Sequence, residues 1–164
     1  MRYKLLCTCV LLAFAVMAVS AQTKQSLSGK CGKAENAQSV PAGDKDGHVF
    51  IVEQGKCTST AGEVGGAKSK DGAFSEHGEA TPTHIKVWGV FTETYDSGDK
   101  IFYNYENTAM TKDGSVVSGE GKYQISGGTG KMKGIKGMGT CALKGNESGL
   151  DYTCTGEYTL AAAK

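Results

Sequence analysis

Proline is scarce in this chain, with two residues in 164 against 24 glycines. Glycine-rich segments that stay disordered usually carry much proline as well. Glycine without proline, beside many Thr, Tyr and Val, points instead to strands joined by tight turns. Helix signals are also missing. Beyond residue 21, no dozen-residue window has a 3.6-residue apolar period free of glycine. Neither sign of charge dominates, with 18 Lys and Arg against 17 Asp and Glu. A basic face for nucleic acid is therefore not expected, nor a basic amphipathic helix for a membrane surface. No C-x-x-C pair occurs and no His stands at ligand spacing from a Cys, which argues against structural zinc.

Long apolar runs are absent except at the start. In "MRYKLLCTCVLLAFAVMAVSAQ", Arg2 and Lys4 precede an apolar stretch from Leu5 to Val19, followed by small residues up to Ala21. This is the pattern of a secretory signal peptide, residues 1–21, cut after Ala21. The stretch is too short and wrongly flanked for a stable membrane span. Cys7 and Cys9 are expected to leave with it. Residues 22–164 then form one domain, secreted or periplasmic, large enough for a single core. The remaining charge is nearly balanced.

Four cysteines stay: Cys31, Cys57, Cys141 and Cys154. An even number in an exported chain reads as two disulfides. Three pairings exist. The turn at 145–149 sets Cys141 opposite Cys154 on the partner strand, and the turn around Gly43 to Gly47 does the same for Cys31 and Cys57. The expected bridges are 31–57 and 141–154.

Strand patterns fill the rest. Residues 47–59, 83–94, 99–110, 115–126, 134–145 and 150–160 read as strands, with weaker ones at 25–30, 61–68 and 72–80. In 83–94, Ile85, Val87, Gly89 and Phe91 share one face, and Lys86, Trp88, Val90 and Thr92 the other. Turns are marked at 96–99, 112–114 and 145–149. The fold expected is all-β, a single antiparallel up-and-down β-barrel of about eight strands; a β-sandwich is the alternative.

The most conspicuous motif is "GGTGKMKGIKGMGTC" (127–141). It fails as a phosphate loop. Met132 follows Lys131 where a Ser or Thr is needed, Ile125 stands in place of the first Gly, and the glycines after it forbid a helix. A Gly-rich turn between strands is the better reading. His77, Glu79 and His84 make only a weak metal pattern, so no metal or cofactor is expected. Glu93 and Glu106 read as solvated strand carboxylates, not a catalytic pair. Asn146-Glu147-Ser148 is a glycosylation sequon within a turn.

"YQISGGTGKMKGIKGMGTC" resembles the G-G-T-G-x-[FM]-x-G-x-x-G-x-G pattern of the allene oxide cyclase barrel-like proteins, related in shape to dirigent proteins and loosely to calycins. "GHVFIVEQGKCT" and "TETYDSGDKIFYNYENTA" look like matching strands of small secreted bacterial members. The resemblance spans 25–160. It implies an eight-stranded antiparallel barrel with a central cavity, and a turn at Gly127 to Gly130 between two strands. The plant cyclases of this group steer ring closure of a fatty-acid epoxide inside the barrel, but none of their pocket residues match positions here.

The functional expectation is a binding module for a small apolar or aromatic ligand, held against Trp88, Phe91, Tyr103 and Tyr105. An isomerase or cyclase using the same cavity is the alternative. A structural module with a filled barrel that associates with copies of itself is the third. No catalytic residue is assigned, and an enzyme is the less favoured reading. An interior cavity separates the first two readings from the third.

Overall fold

Hydrophobic alternation carries directly into strand order. The computed structural model describes residues 22–161; the expected leader, residues 1–21, lies outside that range. The elements are β1 (Thr23–Gly32), β2 (Asn36–Pro41), β3 (Val49–Val64), β4 (Ala67–Ala80), β5 (His84–Tyr95), β6 (Lys100–Lys112) and β7 (Ser115–Gly128). A 3-10 turn (Gly130–Met132), β8 (Lys136–Asn146) and β9 (Gly149–Thr159) complete them. Every pairing is antiparallel. β1 bonds both to β9 and to β3, which closes β1 and β3–β9 into an eight-stranded barrel. This is the architecture expected from the sequence, and continuous closure excludes the sandwich. Among the described residues no helix is long and apolar enough to cross a membrane.

The expected strand at 61–68 is corrected. Gly65 and Gly66 have φ of 57° and 83°. They form the two-residue hairpin that ends β3 and starts β4, because both positions need the left-handed region that glycine enters freely. β2 was not anticipated. It extends β1 after a break at residues 33–35, since β3 pairs with β1 through residues 57–62 and with β2 through 49–54. All six residues of β2 are exposed.

The two bridges join Cys31 to Cys57 and Cys141 to Cys154, as expected. Both are directly cross-strand pairs. Two disulfides fit an oxidising, extracytoplasmic setting.

One barrel end is sealed. The segment after β7 is not a simple hairpin turn. Gly127 and Gly128 finish β7, and the 3-10 turn then places Met132 and Ile135 beneath the barrel, 1% and 2% exposed. Val64, Tyr95 and Ile101 close around them. Burying each such side chain contributes roughly 1.5–3 kcal/mol. Thr129 anchors the plug. Its N–H donates to the Lys100 carbonyl at 2.9 Å, and its Oγ1 accepts from the Lys100 N–H at 2.8 Å. Lys131, Lys133 and Lys136 stay exposed.

Inward-facing glycines make room for rings from neighbouring strands. Phe74 lies over Gly55, Phe91 over Gly72 and Tyr152 over Gly29, so a Cβ at any of the three would overlap the ring. This covering of a strand glycine by an aromatic ring recovers packing that the missing side chain loses.

Candidate ligand-binding cavity

Above the sealed end, the barrel is not filled. A cavity of about 570 Å³ opens toward the other end. That volume lies in the range of small-molecule sites. Its apolar wall includes Leu27, Phe74, Val87, Phe91, Leu143 and Leu150, and Cys31, Cys141 and Cys154 also face it. The mouth lies between the β1–β2 break (Lys33, Ala34), the β6–β7 turn (Gly114, Ser115) and the β8–β9 turn (Asn146, Glu147). Asn146 of the sequon is tied down there, its Nδ2 donating to Asp151 Oδ1 at 3.0 Å and its Oδ1 accepting from the Ser148 N–H at 2.8 Å.

At the floor lies a polar cluster centred on Glu93, which is 1% exposed. Tyr95 and Tyr103 each donate to Glu93 Oε2 at 2.8 Å. Ser69 donates to Oε1, and Ser59 Oγ reaches the same oxygen at 3.5 Å. Gln25 Nε2 donates to the Tyr103 hydroxyl at 3.2 Å, and Tyr123 donates to Gln25 Oε1 at 3.5 Å. Burial, reinforced by the Glu93 charge, holds the Tyr95 and Tyr103 hydroxyls well above the ordinary tyrosine range. The same causes push Tyr123 up to about 12. These hydroxyls therefore remain donors at any physiological pH. Four hydroxyls surround the two Glu93 oxygens, so the cluster reads as a rigid floor.

The cavity wall carries a second acidic group. Glu53 on β3 is registered with Glu76 on β4, and both line the cavity. Glu76 is registered with Gly89 on β5, and Gly89 with Tyr105 on β6. Because Gly89 has no side chain, the Tyr105 hydroxyl crosses β5 and donates to Glu76 Oε2 at 2.5 Å. A Cβ at Gly89 would lie 2.6 Å from that hydroxyl and 2.7 Å from Glu76 Cβ. Burial first, and then neighbouring Glu53, push the Glu76 carboxyl up to about 8. Burial and the Glu76 charge raise the Tyr105 hydroxyl above its ordinary range. Tyr152, on β9, is pushed up to about 12, mainly by burial. Its hydroxyl is the one buried side-chain polar atom without a hydrogen bond among the described residues; Ser59 lies near it without reaching hydrogen-bond geometry.

Of the four aromatic residues expected at the ligand site, Phe91, Tyr103 and Tyr105 line the cavity. Trp88 is a correction. It is one residue out of phase with Phe91, so it lies on the outer wall. There it stacks with His77 at 6.2 Å between ring centroids and carries Lys86 Nζ 4.8 Å from its ring. Glu106 is likewise outside, bridged to Lys86 at 3.1 Å and Lys122 at 3.0 Å, so it does not meet Glu93. The His77, Glu79, His84 group is dispersed: Glu79 contacts His48 and His84 contacts Thr83. Among the described residues no cluster of three such groups could hold a metal. Sequence reading missed Glu53 and Glu76. The available signal was phase, since both alternate with inward residues, Ile51 and Gly55 around one, Phe74 and Gly78 around the other.

No family model matches this chain, and no curated protein matches it. Among solved structures, the chain is similar to a pterocarpan synthase dirigent protein, at 12% identity and a TM-score of 0.45, over 98% of this chain and 100% of that one.

Proposed function

We propose that this protein is an exported barrel that binds a small, largely apolar or aromatic ligand in its interior. The observation that carries the reading is the open cavity of about 570 Å³ with a sealed floor and a mostly apolar wall. Phe91, Tyr103 and Tyr105 supply ring surface, and binding releases water from it. Trp88 is outside, so its fluorescence is a poor reporter. The test is enhancement of a neutral naphthylamine probe, together with native mass spectrometry for a co-purified ligand. Probe binding that is abolished by Leu143→Trp, which fills the cavity, supports the reading. Absence of binding, or binding that the filled variant leaves unchanged, overturns it. Export is tested by N-terminal sequencing of the protein recovered outside the cytoplasm, with Gln22 as the expected first residue.

A second reading, an isomerase or cyclase, is favoured by one observation. A carboxyl raised to about 8 inside a cavity can exchange a proton at neutral pH. Turnover of a bound ligand that Glu76→Gln abolishes without weakening binding would support it.

A further inference from the structure

The cavity's charge is lopsided. Its lining holds three carboxyl groups, Glu53, Glu76 and Glu147, against one amine, Lys33 at the mouth. Among the described residues, no Lys, Arg or His forms an ion pair with Glu53 or Glu76. The groups facing Glu76 are Glu53 from β3 and the Tyr105 hydroxyl from β6; Gly89 of β5 presents nothing. Two adjacent carboxyls in a partly apolar cavity are costly unless a cation or a shared proton compensates them. Phe74 and Tyr105 rings flank the same wall, and aromatic faces attract cations. Elsewhere in the lining, the buried Tyr152 hydroxyl adds a polar group without a hydrogen bond.

Resting on the ligand-binding reading above, we propose that the ligand is a cationic amphiphile, an amine with an aromatic or aliphatic body, whose ammonium group sits between Glu53 and Glu76. The apolar body fills the space against Leu27, Phe91 and Leu143. The incoming ammonium displaces the proton that Glu76 holds in the empty barrel, so binding releases a proton.

Three probes of one shape test this: phenylbutylamine, phenylbutanol and phenylbutyrate, each titrated calorimetrically into the intact protein. The amine binds tightest and the carboxylate weakest. A charge-assisted contact predicts an amine-over-alcohol preference of about ten- to a hundredfold. Near neutral pH, titrations in buffers of different ionisation enthalpy show close to one proton released per amine bound, and none for the alcohol. Glu53→Gln and Glu76→Gln each reduce the preference, while Glu106→Gln on the outer wall does not. If the alcohol or carboxylate binds as tightly as the amine, the cation proposal is overturned and the cavity reading stands. If none of the three binds, the cavity reading itself fails. The wild-type comparison needs no variant to fold.

Discussion

Replacing Glu76 with Gln should flatten the pH dependence of stability between about pH 5 and 8. The Glu76 carboxyl titrates near 8 when folded and near 4.5 without its surroundings. The folded pKa is the higher one. Its contribution to stability is therefore fully present below about 4.5 and is lost as pH rises through about 8. Within that window the folded state holds one more proton than the unfolded state. The ceiling on the slope is then about 1.4 kcal/mol per pH unit. Glu76 keeps some exposure to the cavity, and solvent screening should cut this to roughly half, or about 1.4 kcal/mol over two units. For a domain of this size that is roughly 5 °C in melting temperature. The assay is urea denaturation at intervals across the window, for wild type and Glu76→Gln, with probe-free protein. Wild type should weaken steadily with pH, and the difference between the two proteins should shrink on the acid side. Parallel profiles would refute the reasoning, because they would mean that Glu76 titrates alike in both states.

Three further outcomes follow from the fold. Removing the Cys31–Cys57 bridge by paired Ser substitutions opens a 26-residue separation, and removing Cys141–Cys154 opens one of 13; chain entropy predicts losses of about 3.5 and about 2.9 kcal/mol, so guanidinium midpoints should fall more for the first. Gly72→Ala places a Cβ against the Phe91 ring and should cost about 1–3 kcal/mol, whereas Gly32→Ala, with its nearest atom at 3.9 Å, should be close to neutral in the same assay. Met132→Ala removes the centre of the plug and should cost about 2–5 kcal/mol; a loss under 1 kcal/mol would show that the plug is dispensable.

The barrel was legible because its cause is local. Alternation in β5 and β6 and turn chemistry at 96–99 and 112–114 each act over a few residues, and closure follows once eight such strands must hide their edges. β2 was illegible for the opposite reason. Asn36 to Pro41 has little apolar content and is held as a strand only by the N-terminal half of β3. The plug was hidden by its glycines and lysines, although Met132 and Ile135 stood out as the apolar residues within it. Trp88 shares the strand phase of Lys86 and Val90, and that phase, not its aromatic size, sets it on the outer wall. The Glu53–Glu76 wall was missed because acidic residues on strands are usually solvated. Only the register between β3, β4, β5 and β6 brings Glu53, Glu76 and Tyr105 together, and register across three hairpins is not a local property.

Glu93 and Glu76 show how one barrel assigns different work to the same side chain. Glu93 lies on the sealed side, where Tyr95, Tyr103, Ser59 and Ser69 crowd its two oxygens. These protein hydroxyls offset its desolvation. Glu76 faces the cavity with a single hydroxyl donor from Tyr105 and a second carboxyl beside it. Its other neighbour is the Glu53 carboxyl, and that like charge makes its ionised form costly. In the empty barrel a proton shared with Glu53 compensates it, and in the proposed complex the ligand's cation takes that role. Gly89 makes the Tyr105–Glu76 contact possible. A side chain there would separate Tyr105 from Glu76 and remove that hydroxyl donor, so the glycine shapes the binding wall as much as the charged residues do.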